Sequence, residues 1–288
     1  MKPRYSFSSR RTRNVENIRK QKQKYPELTR KIIEDSDIIL EILDARFIEE
    51  TRNKEVEEVL TREKKKIIYV INKSDLIDKR PSQDFYPYVF VSCVQRKGVK
   101  ELRDLIKRLA KTIQKVKTSG IPSTSSQGKE EDRVNVGIIG YPNTGKSSLI
   151  NLLIGKNSAK TAAEAGFTKG LQKLKLSPGI VLIDSPGIIP ENQYSEVKKD
   201  KISQYTKLGG RSYSQVKDPD LVVSDLIKEF PEVFQNFYNI DVESDQENFI
   251  ENLGIKKGLL KKGGEVDEDK VARIILRDWQ EGKIKLNR

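Results

Sequence analysis

The sequence predicts an α/β protein: a six-stranded, mostly parallel sheet covered by helices, followed by an all-helical C-terminal domain. Three observations carry that prediction. Over residues 38–116, apolar runs of strand length alternate with amphipathic runs of helix length, the pattern of a parallel sheet buried on both faces. At residues 134–154 a glycine-containing loop stands between an apolar run and a helical run, the context that a phosphate-binding loop requires. Strand signals stop after Gly187, and helical periodicity returns from Asp218 onward.

Residues 1–24 carry nine Lys and Arg against a single Glu16, a net of +8. This segment is too basic and too poor in aliphatic groups to build a core, so it reads as a basic N-terminal arm. Tyr5 and Phe7 beside Arg10, Arg11 and Arg13 could grip phosphates and stack on unpaired bases. Leu28, Ile32 and Ile33 have the spacing of an amphipathic helix that leads into the sheet. Residues 38–43 then read as a buried strand ending in Asp44-Ala45-Arg46. A helix is expected from Thr51 to Arg62, a second strand over residues 66–71 and a third over residues 88–91, followed by a helix from about Lys100 to Val116.

Residues 119–132, rich in Ser, Gly, Pro and charge, form a linker. Residues 134–139 are the next strand. Leu171 to Leu176 and Ile180 to Ile183, joined by Ser177-Pro178-Gly179, read as a hairpin on the sheet edge. These elements make residues 25–200 one domain and residues 218–288 a second, helical one, in which Trp279 is expected to be core.

The bulk numbers narrow the chemistry. The 288 residues include no histidine and a single cysteine, Cys93. His-based acid/base catalysis is therefore excluded, a zinc site is disfavoured, and no internal disulfide can form. No apolar stretch approaches a membrane span, and the reading is of a soluble, cytoplasmic monomer. The formal charge is +13, yet from Pro219 onward 11 Lys and Arg face 15 Asp and Glu, a net of −4. The positive charge thus sits on the arm and central body, as for a polyanionic partner.

The loop Gly140-Tyr141-Pro142-Asn143-Thr144-Gly145-Lys146-Ser147-Ser148 carries the phosphate chemistry. Gly140 and Gly145 permit torsions that aim successive amides at one phosphate, and the helix that follows adds its positive end. Lys146 can reach the β and γ phosphates, and Ser147 can place its hydroxyl on Mg²⁺. Asn72-Lys73-Ser74-Asp75, directly after a buried strand, is a guanine-recognition signal. Asp75 can accept both N1-H and the 2-amino group, a pattern adenine lacks, while Asn72 braces the adjoining loops and the stem of Lys73 lies along the base. Ser92-Cys93 stands where a loop amide meets the guanine 6-oxo group. Thr168 offers a second hydroxyl to Mg²⁺, Asp184 a carboxylate for a Mg²⁺-bound water, and Gly187 an amide that feels the γ-phosphate.

These motifs resemble the translation-factor-type GTPases and, more closely, their circularly permuted branch, the YlqF/RbgA/YawG-type ribosome-assembly GTPases. In ordinary members the guanine motif follows the P-loop; here Asn72 precedes Gly140 by 68 residues. Asp44-Ala45-Arg46 and Gly263-Gly264-Glu265-Val266-Asp267 also look like that branch. The resemblance implies a P-loop GTPase sheet whose strands, named by starting residue, run 171, 180, 134, 38, 66, 88, with the first antiparallel to its neighbour. The segment after Gly187 would lead into the helical domain, so loss of the γ-phosphate would reposition it.

Ile188 stands where many small GTPases carry a water-orienting glutamine, so slow intrinsic turnover is expected. The resemblance makes Asn143 a candidate ligand of a potassium ion that would supply the missing positive charge. The implied function is a GTP-hydrolysing switch with GTP or GDP as ligand and Mg²⁺ as cofactor. It would bind ribosomal RNA and act in assembly of the large ribosomal subunit. Competing readings are a nucleotide-gated protein-binding module with little turnover, and a GTPase acting in tRNA modification.

Overall fold

Seven consecutive buried residues make β1 (Ile38–Asp44) a central strand. A computed structural model describes residues 29–118, 133–155, 172–184, 206–209, 213–242 and 246–286, and within it β1 is flanked in parallel by β2 (Lys66–Asn72) and β4 (Val134–Gly140). β3 (Tyr88–Phe90) extends one side in parallel. On the other side β6 (Ile180–Asp184) is parallel to β4, and β5 (Gln172–Ser177) is the antiparallel edge. The order β3-β2-β1-β4-β6-β5 is the expected one. The edge strand bears a register shift between Lys175 and Ser177, an irregularity of the kind that discourages edge pairing.

Val, Ile and Leu dominate the central strands, so each buries both faces. One face meets α3 (Val99–Thr118) through Leu102, Ile106 and Ala110, together with Leu149, Ile150 and Leu153 of α4 (Lys146–Ile154). The other face meets Ile32 and Ile33 from helical residues 29–35, with Val56 and Leu60. The single helix expected from Thr51 to Arg62 is instead two, α1 (Ile48–Thr51) and α2 (Lys54–Arg62). The break has a specific cause: the Asn53 side chain accepts from Val56 N at the start of α2, while Asn53 N donates to the buried Glu41 carboxylate at 2.7 Å. Both interactions hold residue 53 out of a continuous helix.

The C-terminal helices are α5 (Pro219–Glu229), α6 (Pro231–Tyr238), α7 (Gln246–Lys256) and α8 (Glu268–Gln280). Proline starts α5 and α6, where its missing N–H costs nothing. Trp279 is fully buried and stacks on Phe230 and Phe234, with ring centroids 5.5 and 5.7 Å away. Phe47, from the sheet half of the chain, enters this same core, 5.9 Å from Trp279 and 6.5 Å from Phe230. Gly263 and Gly264, at φ +124° and +90°, lie in the turn between the bridged residues Leu260 and Val266. Asp267 then caps α8 by accepting from Lys270 N. Among the described residues no helix is long and apolar enough to cross a membrane. The basic arm, the linker, Thr168, Gly187 and Ile188 lie outside the described residues.

Candidate functional site

Parallel pairing of β1 with β2 and β4 brings three strand ends together. Asp44 and Asn72 are register partners on β1 and β2, and Gly140, at the end of β4, pairs with Ile42. The loops leaving these ends, after residues 44, 72 and 140, are far apart in sequence and adjacent in space.

The phosphate-type loop is built as its sequence requires. Gly145, at φ +94°, precedes α4, and a Cβ there would stand 2.2 Å from Asn72 Nδ2. Asn72 occupies that space and donates from Nδ2 to Thr144 O at 2.8 Å, so the two nucleotide-type motifs are joined by one hydrogen bond. Thr144, fully buried, donates from Oγ1 to Tyr141 O at 2.9 Å. Pro142 is buried, while Ser147 and Ser148 are half-buried at the start of α4.

Lys146 donates from Nζ to Gly140 O at 2.9 Å and to Tyr141 O at 2.6 Å, and among the described residues these two acceptors leave one of its three ammonium donors for a phosphate oxygen. Burial lowers its pKa to about 8, and the charge of Asp184 opposes that fall. Asp184 closes β6 and is buried. Asn143 adopts the left-handed region at φ +59° and donates from Nδ2 to Gly209 O at 2.8 Å. That bond ties the loop to residues 206–209, whose Lys207 and Thr206 carbonyls accept from Trp279 Nε1 and Gln280 Nε2, each at 3.0 Å.

At the guanine-type loop, Lys73 is left-handed at φ +60° and begins a short 3₁₀ turn over Ser74–Leu76. Asp75 accepts from Ser92 Oγ at 2.5 Å, and Ser92 Oγ in turn accepts from Gln95 N at 3.0 Å. Cys93 is half-buried next to Asn72, and burial raises its thiol pKa to about 11. It is therefore a neutral thiol at physiological pH. Gly98, at φ +73°, lets the loop after Cys93 fold back, since a Cβ there would be 2.0 Å from Phe90 O.

Sequence reasoning assigned no role to two buried groups. Asp44 takes two bonds from the Arg46 guanidinium, Nε to Oδ1 at 3.0 Å and Nη2 to Oδ2 at 2.9 Å, and one from Lys73 Nζ at 2.8 Å. Burial alone would raise its pKa, but Arg46 and Lys73 outweigh that and hold Asp44 well below the usual carboxylate range. Its signal in the sequence was an acid at a strand end followed two residues later by arginine. The second group is Glu41, fully buried in mid-β1. It lines a small cavity with Thr51, Asn53, Gly140 and Tyr141. Burial, reinforced by Glu57, raises its pKa to about 8. Glu57 itself accepts from Arg52 at 2.7 and 2.9 Å and from Tyr69 OH at 3.1 Å. A polar residue inside an apolar strand run was the available sign.

The site therefore presents an amide-rich loop with a lysine at its base, braced to a second loop with a carboxylate at its rim. Such a cradle can hold a phosphate chain at one end and a donor-rich base at the other. Residues 135–250 match the family described as 50S ribosome-binding GTPase. An uncharacterized GTP-binding protein of Methanocaldococcus jannaschii is 35% identical over 276 residues, covering 94% of this chain and 68% of that protein. The GTPase grn1 of Schizosaccharomyces pombe is 33% identical, covering 90% of this chain and 60% of that protein. The nuclear GTP-binding protein NUG1 of Saccharomyces cerevisiae is 30% identical, with 93% and 56% covered. The chain thus spans little more than half the length of the two yeast relatives. The solved structure of GNP-bound YlqF from T. maritima superposes with a TM-score of 0.59 at 23% identity, covering 92% of this chain and 98% of that one, which shows a shared fold.

Proposed function

The chain belongs to the circularly permuted GTPases of the YlqF type, and from that premise we propose that it is a GTP-hydrolysing switch that binds ribosomal RNA in assembly of the large ribosomal subunit. The observation that carries this reading is the Asn72–Thr144 bond at 2.8 Å. It sets the base-recognition loop against the phosphate loop, so one guanine nucleotide can engage both. In this reading Asp75, oriented by Ser92, accepts from the guanine base. Lys73 lies along it, and an amide near Ser92 and Cys93 meets the 6-oxo group. The loop from Pro142 to Ser148 cradles the phosphates, with Lys146 neutralising their charge.

The residues present fit a nucleotide-bound Mg²⁺. Ser147, at a helix start, is half-buried, and Asp184 is a buried carboxylate whose charge acts on Lys146. Ser147, Thr168 and a water held by Asp184 would bind the metal, which when bound screens the charge developing between the β and γ phosphates. Thr168 and Gly187 would sense the γ-phosphate, and the Asn143 side-chain oxygen would hold a potassium ion. Lys146 holds the phosphate chain in place, and Asn72 keeps the two loops at fixed separation. The basic arm over residues 1–24 would supply phosphate contacts to RNA, in keeping with a family described as ribosome-binding.

The test is co-sedimentation of the full chain with purified large ribosomal subunits, with GDP or a non-hydrolysable GTP analogue, at two salt concentrations. Nucleotide-dependent binding that weakens steeply with salt is expected. Absence of pelleting in either nucleotide state at low salt would remove the ribosomal part of the proposal.

A further inference from the structure

The residues that follow β1 make contact in three directions at once. Asp44 faces the base-recognition loop through Lys73 at 2.8 Å. Arg46 clamps Asp44 and donates its remaining Nη1 to Trp279 O, near the end of α8, at 2.9 Å. Its guanidinium also lies over the Trp279 ring at 5.1 Å and the Phe47 ring at 5.5 Å. Phe47 is buried in the helical core. All four side chains are buried or nearly so, with Asp44 at 2% and Arg46 at 5% exposure.

The chain beyond α8 returns to the same loop. Leu286 N donates to Leu76 O at 2.9 Å, making an isolated parallel bridge between Ile77 and Leu286. Gly282, at φ +76°, packs so closely on Leu76 that a Cβ would lie 2.9 Å from its side chain. Leu76 follows directly after Asp75. The loop from Asn72 to Leu76 is therefore held on one side by Asp44 and Arg46 and on the other by residues 282–286, and both supports end at the C-terminal end of α8.

We propose that Arg46 is a positioning residue for guanine recognition, which couples nucleotide affinity to docking of residues 276–286. Docked, the end of α8 gives the third Arg46 nitrogen, Nη1, its carbonyl partner, so the guanidinium stays locked on Asp44 and Asp44 stays locked on Lys73. Undocked, Arg46 loses the Trp279 carbonyl and ring, Leu76 loses its backbone partner, and the base loop must be ordered by the nucleotide itself. That ordering cost weakens binding. Because coupling is reciprocal, nucleotide in the base loop must tighten α8 docking by the same factor. The inference rests on the proposed guanine-nucleotide site, and it concerns the base loop rather than the phosphate-sensing segment.

The test uses the full chain. In the wild type, hydrogen exchange at residues 276–286 is compared with and without GDP, and binding of a fluorescent GDP is compared with Arg46→Lys. Lysine keeps the charge beside Asp44 but cannot bond both carboxylate oxygens and Trp279 O together. Slower exchange with GDP is expected, with affinity weakened about 5- to 20-fold in the variant, and with KM for GTP raised while kcat is held. GDP that binds yet leaves exchange at 276–286 unchanged overturns the coupling, as does a folded Arg46→Lys with wild-type GDP affinity. Should Arg46→Lys fail to fold, the wild-type exchange decides alone. A wild type that binds no GDP at all would instead remove the nucleotide reading on which the coupling rests.

Discussion

Replacing Glu41 by Gln should stabilise the protein at alkaline pH and leave it nearly unchanged at pH 5. The Glu41 carboxyl is fully buried in mid-sheet, takes one hydrogen bond from Asn53 N at 2.7 Å, and stands beside Glu57. Among the described residues its other oxygen, Oε2, has no hydrogen-bond partner while both groups are ionised, since two carboxylates cannot bond each other unless one carries a proton. Protonated, Glu41 can donate to Glu57, which explains why burial and Glu57 together raise its pKa from 4.5 to about 8. The folded protein then holds a proton that the unfolded chain releases above about pH 4.5. The resulting stability is complete below that value and is lost as pH rises through about 8. At about 1.4 kcal/mol per pH unit the separation sets a ceiling of about 5 kcal/mol. Local relaxation and water penetration around the buried charge bring the expected gain of Glu41→Gln at pH 9 to roughly 2–3 kcal/mol. That corresponds to roughly 5–10 °C in Tm. Thermal melts of both proteins from pH 5 to pH 9 read the effect directly. If the variant is destabilised by the same amount at every pH, Glu41 is not a buried proton carrier.

Four further outcomes follow from the geometry. Gly145→Ala would press a Cβ to 2.2 Å from Asn72 Nδ2 at φ +94°, so GDP affinity measured by fluorescence should fall by more than about tenfold, or 1.4 kcal/mol; retained affinity would mean that the two loops are not braced as described. Asp75→Asn should shift preference from guanine toward xanthine nucleotides at a cost of about 1–3 kcal/mol for GTP, and an unchanged GTP preference in competition binding would contradict the role of that carboxylate. Phe47→Ala empties the space beside Trp279 and Phe230 and should cost about 3–5 kcal/mol in denaturant melts; a loss below 1 kcal/mol (about one hydrogen bond) would show that Phe47 does not bind the two halves together. GTP turnover should be several-fold faster in potassium than in sodium buffer if an ion near Asn143 supplies transition-state charge, and equal rates would remove that ligand role.

Much of the architecture was legible because it depends on short windows of sequence. Ile38 to Asp44 must be a central strand since seven consecutive residues can be buried only between two layers, and the loop from Gly140 to Ser148 carries its own glycines at the torsions it needs. The split between α1 and α2 was not legible, because Asn53 is held by Glu41 twelve residues earlier, on a different element. Helix α6 is hard to read for a different reason: Val233, Phe234, Phe237 and Tyr238 have helical spacing, but its eight residues are shorter than the window over which such a period stands out. Trp279 read correctly as core, yet its carbonyl and indole N–H also serve Arg46 and Lys207, backbone and edge contacts that leave no trace in residue type.

By itself the sequence determined the central strands, the phosphate-type loop and the succession of base-type loop before phosphate-type loop, since each follows from local periodicity and motif chemistry. The strand order, which the resemblance to a known family implied, matches the sheet of the structure. Only the tertiary structure decided that Asp44, Arg46 and Phe47 join the base loop to a helix end 233 residues away. The physical reason is that a buried ion pair is specified by what surrounds it. Arg46 finds its carbonyl and its aromatic faces only after the sheet and the helical core have both been formed.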